Sequence, residues 1–268
     1  METSLEYISA GIILSLILGV TGQYSTNMVN DRVINIEQTS GLQLADKIID
    51  TLLLTPGSPS NWSSSIDPPS SIGFALENAV KPYQLDKAKV KCLYNDSNNY
   101  IPPYLIRDLI GLSKNYYISL EIYPMYNILI ENITSEKFKI TVTNQWDIPV
   151  STVIVKGAYT DYASIDSTEV NAFINGNLQN AVFRENMTDV NGNCILNFSG
   201  SGEKASLLVL CEQLNVKSVN TWPNVSSDII TKVKASVGID AGFNVELVYR
   251  AIEIDRLNYF CKFKMWWS

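Results

Sequence analysis

From Tyr7 to Asn30 the chain carries no charged residue, and Ile8 to Val20, written ISAGIILSLILGV, is apolar almost throughout. Such a run must leave water, and lipid suits it. The run is shorter than the roughly 20 residues a spanning helix needs, but Thr21, Gly22 and Tyr24 extend it. A cleaved secretory signal would need a basic leading region and a small-x-small cleavage site. The leading residues carry Glu2 and Glu6 and neither lysine nor arginine. The expectation is a retained single-pass anchor at the cell membrane, with Ile8, Ile12, Ile13, Leu14, Leu16, Ile17 and Leu18 in contact with membrane lipid.

Helical spacing continues past the anchor, with apolar residues at Val29, Val33, Ile36, Leu44, Ile48 and Leu52. Pro56 and Gly57 stop it, because proline breaks the helical hydrogen bonding and glycine serves as a cap. A helix from about residue 4 to 54 measures roughly 75 Å at 1.5 Å per residue. Its second half offers one apolar stripe, which must bury against the protein's own body or neighbouring copies. A Pro/Ser loop follows, PGSPSNWSSSIDPPSS. Next come IGFALE, read as a short strand, and helices over Lys87–Leu93 and Pro103–Leu112, the second with proline in its first turn.

From Tyr116 the pattern turns to β. The runs YYISLEIYP, YNILIENI, FKITVTN, STVIVKGAY, CILNF, ASLLVLCE and FNVELVYR are rich in Val, Ile, Tyr and Phe and are separated by turn residues, which reads as an antiparallel sandwich. The terminal NYFCKFKMWWS alternates, with Tyr259, Cys261, Phe263, Met265 and Trp267 on one face and Phe260, Lys262, Lys264 and Trp266 on the other.

The chain contains no histidine, which removes Ser-His-Asp and Cys-His nucleophile systems and His-ligated zinc. No P-loop, dinucleotide fingerprint or CxxC is present, so no cofactor and no metal is expected. Asp189-Val190-Asn191-Gly192-Asn193 imitates the start of a calcium loop but has Cys194 at the sixth position and Gly200 at the twelfth, and it reads as a turn between strands. A net charge of −7 without a basic cluster argues against nucleic acid as a partner. The carboxylate sets left for acid/base chemistry are Asp46 with Asp50 on one helix face, and Asp161, Asp166 and Glu169 in one loop; no motif frames either, and no enzyme is expected.

Candidate N-glycosylation sites stand at Asn61, Asn95, Asn132, Asn186, Asn197 and Asn224, and the four cysteines are an even number, both compatible with an extracytoplasmic body. If CILNF and SLLVLC form a hairpin, Cys194 and Cys211 fall on one face as a candidate disulfide, the alternative being two buried thiols. Cys92 and Cys261 make up the second candidate pair.

Three stretches resemble archaeal type IV pilin-like proteins: SLEYISAGIILSLILG at the start, ADKIIDTLLLTPGSPSNW where the helix ends, and IGFALENAVKPYQLDKAKVKCL with IPPYLIRDLIGLSKNYYISLEI, which runs to Ile122. With Met1 removed, Glu6 becomes the fifth residue, where the resemblance implies a glutamate that pairs with a neighbouring subunit. A carboxylate at the membrane edge is costly unless it has such a partner. A fourth stretch, FKITVTNQWDIPVSTVIV followed by TDVNGNCILNF, resembles archaeal surface Ig-like repeats, with Asp147 where those carry glycine.

The expected fold class is thus α+β. Residues 1–55 form the anchor and long helix, 56–125 a mixed α/β head segment, 126–215 an antiparallel Ig-like β-sandwich, and 216–268 the strands that complete the body. The resemblance implies a non-enzymatic pilin-like surface glycoprotein, a structural or adhesive subunit that meets other membrane or filament subunits through its N-terminal helix. No basic leader precedes the apolar run, so a second expectation stands beside it: a membrane-tethered Ig-like binding or accessory subunit of a larger membrane complex, with a surface glycan or protein as ligand.

Overall fold

From Leu257 to Met265 every second side chain is buried, with Tyr259, Cys261, Phe263 and Met265 inside. The alternation expected from the sequence ends there, since Trp266 is buried and Trp267 only partly so, and the strand organises the first of three antiparallel sheets among the described residues. The computed structural model describes residues 41–65, 68–202, 204–223, 229–238 and 245–267. In sheet I the order is β10-β11-β1-β9, formed by β1 (Tyr116–Pro124), β9 (Val233–Val237), β10 (Val245–Ile254) and β11 (Leu257–Trp267). Leu120 lies opposite Phe263 and Ile122 opposite Cys261, so both strands turn the same set of apolar residues inward. Sheet II has the order β2-β3-β6, from β2 (Asn127–Thr134), β3 (Lys137–Thr143) and β6 (Asn193–Asn197). Sheet III has the order β5-β4-β7-β8, from β4 (Ile154–Thr160), β5 (Ala181–Met187), β7 (Ser206–Gln213) and β8 (Val216–Trp222).

Among the described residues four α-helices and one 3-10 turn, Trp62–Ser64, decorate the sheets. Helix α1 covers residues 41–54 and ends before Pro56. Helix α2 (Lys87–Lys91) is capped by Asp86, whose carboxylate accepts the Ala88 N–H, and α3 (Pro103–Leu109) begins on proline. Helix α4 (Ser167–Ile174) starts with a capping box in which Asp166 accepts the Glu169 N–H and Glu169 accepts the Asp166 N–H.

Two cores result. One lies between α1, the inner face of sheet I and one face of sheet III; it includes Ile49, Leu52, Leu120, Phe263, Leu208 and Leu210. The other fills the space between sheets II and III with Phe138, Ile140, Val155, Tyr159, Leu196, Leu207 and Val209. Strand β7 contributes to both, which is why SLLVLC shows no alternation: Ser206 through Cys211 are all buried.

The α+β class expected from the sequence is corrected by this arrangement. Among the described residues the chain is mostly β, with eleven strands in three antiparallel sheets and only short helices. The expectation overweighted helix because three strands were not read: β5 and β8 have little apolar alternation, and β9, although it alternates, is only five residues long. No helix of the described residues is long and apolar enough to cross a membrane. The expected span, with Glu6, Ile8, Ile12, Ile13, Leu14, Leu16, Ile17 and Leu18, lies outside the described residues.

The hairpin that suggested a Cys194–Cys211 bridge does not form. Strand β6 pairs with β3, and β7 pairs with β4 and β8, so the two cysteines belong to facing sheets over the second core. All four cysteines, Cys92 and Cys261 included, are buried free thiols. Burial pushes the Cys92 and Cys194 thiols up to about 11, and drives those of Cys211 and Cys261 higher still.

Candidate functional site

Helix α1 buries one stripe completely, through Ala45, Ile48, Ile49, Leu52 and Leu53, and its attachment to the body is reinforced at three points. At the first described residue, Gly41 lies against the Trp267 ring, where a Cβ would sit 2.7 Å from the nearest ring carbon. Midway, Asp46 and Asp50, one turn apart on the same face, meet Arg250 of β10. The guanidinium donates from Nε to Asp50 Oδ1 at 2.9 Å and from Nη2 to Asp46 Oδ1 at 2.9 Å, and the Tyr83 hydroxyl donates to Asp50 at 3.1 Å. At its end, Gly73 packs on the Thr55 carbonyl so closely that a Cβ would lie 2.2 Å from that oxygen. Below that point the fully buried Lys89 ammonium donates to Pro56 O at 2.8 Å and to Ala75 O at 2.9 Å.

The hydrogen bond from Arg250 holds the Asp50 carboxyl below its ordinary value, and the same pairing raises Arg250. A carboxylate whose folded-state pKa is depressed stabilises the fold above its unfolded value, and that contribution is lost as pH falls through the folded one. The expected outcome is an acid-limb loss of stability beginning near pH 3.8 that is smaller in Asp50→Asn, read by chemical unfolding across that range. The groups are partly exposed, so the effect is modest. Superimposable acid limbs for the two proteins would remove the clasp from the account.

A second feature lies where the strands of sheets II and III end. The β3–β4 loop exposes Trp146 (65%) and Ile148 (57%), the β5–β6 turn Val190 (83%), and the β7–β8 turn Leu214 (92%). These loops are held, not loose. Asn144 Oδ1 accepts the Trp146 and Ile148 N–H groups at 2.9 and 3.1 Å, and Asp189 Oδ1 accepts those of Asn191 and Asn193 at 2.9 Å each. Gly192, at φ +71°, packs on the β3 end, where a Cβ would be 2.4 Å from Val142 O. The Gln213 amide donates to Ser151 O at 3.0 Å and Thr152 Oγ1 at 2.8 Å, tying the third loop to the first. Strand β1 starts beside Trp267, near the α1 entry, and runs its length to the β2 start, where Asn127 donates to Asn144 O. The apolar loop tips therefore lie about 30 Å of strand away from the helix entry, at 3.3 Å per residue.

No family model, curated protein or solved structure matches the chain. The residues themselves must carry the reading.

The structure keeps two of the grouped acid pairs together and sets Asp161 apart. Asp46 and Asp50 are taken up by Arg250. Asp166 and Glu169 cap α4, while Asp161 pairs with Lys204 at 2.7 Å. Asp189–Asn193 is the turn between β5 and β6, its Asp189 oxygen spent on backbone N–H groups. Of the glycosylation candidates, Asn61, Asn95, Asn132, Asn186 and Asn197 are exposed, and Asn224 lies outside the described residues. The Asn186 amide nitrogen donates to Ile195 O at 2.8 Å, so that sequon must give up a structural bond to be modified.

Arg250, Lys89 and Trp146 were not singled out from the sequence. Only Trp146 had a local signal, an aromatic residue next to the Asp-x-Pro turn. One further concavity, of about 560 Å³, opens on sheet III beside α4; Phe173 and Phe183 stack along it at 6.2 Å, with Lys156, Glu212 and Lys217 close by.

Proposed function

We propose that the chain is a non-enzymatic, pilin-like surface subunit, structural or adhesive, carried on an N-terminal membrane helix with its body extracytoplasmic. The observation that carries the reading is the seat of α1. A helix whose whole apolar stripe is buried, clasped by Arg250 and locked by Gly41 and Gly73, is built to transmit position between the body and whatever precedes residue 41. What precedes it is the helical spacing of Val29, Val33 and Ile36 and the uncharged run from Tyr7. Four exposed apolar side chains on braced loops, remote from that seat, suit contact with a partner, since clustered exposed apolar groups mark interaction surfaces. The carboxylate sets considered for catalysis are all occupied with caps and ion pairs, which supports a role without chemistry.

A second reading, a tethered binding or accessory subunit, draws on the aromatic-walled concavity on sheet III, which would take a surface glycan against Phe183. One experiment separates the two. The full chain, expressed in membranes, is expected to co-float with liposomes and to appear in the electron microscope as filament segments. Discrete particles containing other subunits would favour the accessory reading, and recovery only in the soluble fraction would overturn both.

A further inference from the structure

We propose that β10 is a self-pairing edge, through which two copies of the chain join their sheets I into one continuous sheet. The parity of the strand gives the argument its start. The β10–β11 turn is the two residues Asp255 and Arg256, at φ 49° and 65°, which makes Ile254 and Leu257 a hydrogen-bonded pair. Counting back in twos, Ile252, Arg250, Val248 and Glu246 bond to β11. Val245, Leu247, Tyr249, Ala251 and Glu253 must turn their N–H and C=O groups outward. Glu253 does so: its N–H donates to Tyr83 O at 2.9 Å and its carbonyl accepts from Leu85 N–H at 2.8 Å. For the other four, among the described residues, the sole outward contact is Arg250 Nη1 donating to Tyr249 O at 3.1 Å, which leaves that carbonyl a second lone pair.

Exposed edges are ordinarily guarded by brevity, charged side chains, proline or a bulge. This one is ten residues long, keeps an unbroken register with β11 and contains no proline, and the charges on its uncovered part, Glu246 and Arg250, are opposite in sign. Val245, Leu247 and Tyr249 are 38%, 41% and 41% exposed. The other edges are managed. Asn220 donates to Ile128 O across the β2 and β8 edges, Asn186 and Arg184 donate to Ile195 O and Asn197 O across the β5 and β6 edges, and β9 has only five residues.

The occupant that fits is a second copy. Antiparallel pairing about a two-fold through Val248 sets Leu247 opposite Tyr249 and Val245 opposite Ala251, apolar against apolar. Every outward N–H and C=O of these residues then finds a partner. The same register sets Glu246 opposite Arg250, while Arg250 keeps Asp46 and Asp50 of its own helix. Moving the axis to Leu247 or Tyr249 sets Glu246 against Val248 or Ile252, so charge complementarity selects the first register. An isologous, self-complementary patch of this kind is what a two-fold dimer requires.

The geometry has a consequence for the anchor, and this part rests on the functional reading above. Helix α1 runs alongside β10 in the same direction, Gly41 near Glu246 and Asp46 and Asp50 at Arg250. The two-fold therefore sets the two α1 helices antiparallel, with their N-terminal ends pointing apart. The dimer joins two opposed surfaces instead of neighbours in one membrane.

The test is the mass of the full chain in detergent micelles by light scattering over a range of concentrations. Wild type is expected to shift from monomer to dimer. Leu247→Pro removes an outward N–H that the fold does not use, and should weaken dimerisation at least 100-fold with an unchanged circular dichroism spectrum. Leu247→Lys with Tyr249→Lys, which opposes like charges without touching the backbone, should do the same. A wild-type chain that stays monomeric, or dimers that survive both variants, would overturn the proposal; so would dimers that require another protein's extended segment. Clustering of phosphatidylcholine vesicles that carry the chain tests the opposed-surface geometry, and flotation tests the anchor separately. Dimers without flotation would leave β10 pairing standing and remove the anchor reading.

Discussion

Lys89→Ala is expected to lower the stability of the folded body by about 3 kcal/mol, the range for truncating a long buried side chain and stranding its partners. The ammonium is fully buried, and its two acceptors, Pro56 O and Ala75 O, belong to the segment that leaves α1. Pro56 O keeps a second donor, the Trp62 indole at 3.2 Å, so the loss falls mainly on Ala75 O and on the cavity. Lys89→Met fills most of the space but supplies no donor, and should cost less, about 1–2 kcal/mol. For a chain this size the alanine variant should melt roughly 6–12 °C lower.

There is a pH signature as well. Burial lowers the Lys89 pKa, so at alkaline pH below 10.5 the unfolded chain binds more protons than the folded one. Stability contributed at this site therefore rises as pH climbs from the folded value towards 10.5, and the methionine variant lacks that rise. Equal melting temperatures for wild type and Lys89→Ala would show that the lysine is not the polar bolt described here.

Lys89 also illustrates what a sequence conceals. In Asp-Lys-Ala-Lys-Val-Lys it reads as one of several solvated lysines, and only the seating of a five-residue helix between Pro56 and Ala75 buries it. Strands β1, β3, β7 and β11 were legible because each alternates or runs apolar throughout, and the end of α1 was legible from Pro56. Strand β8 was not, because it buries Ser218 and Thr221 where a hydrophobic reading looks for aliphatics. Strand β5 hid for the opposite reason: from Phe183 to Met187 its side chains are all exposed. The acid pair Asp46 and Asp50 was visible on one helix face, but its meaning depends on Arg250, some two hundred positions along the chain. Charge pairs so distant leave no local pattern, and the α+β expectation failed for a related reason: polar or two-faced strands have no period to read.

Phe138→Ala should produce the larger loss, about 3–5 kcal/mol, because the site joins two sheets and cannot collapse without separating them. Phe138 is fully buried in β3 of sheet II, and three rings surround it edge-on: Tyr159 at 5.4 Å, Phe198 at 6.1 Å and Trp222 at 5.2 Å. Tyr159 and Trp222 come from sheet III, so the cluster is the bridge between the layers, and such ring pairs contribute about 0.5–1.5 kcal/mol each beyond simple burial. Phe138→Leu, which keeps most of the volume, should lose less than half as much. The loops that expose Trp146, Ile148 and Val190 are anchored on the ends of these same strands, so a loosened bridge should also raise amide exchange at the loop tips while leaving α1 and sheet I protected. Hydrogen exchange with chemical unfolding reads both effects. A loss below about 1 kcal/mol, or exchange that rises equally in sheet I, would mean that the two cores do not behave as separate units and that the tip is not held by sheet-to-sheet packing.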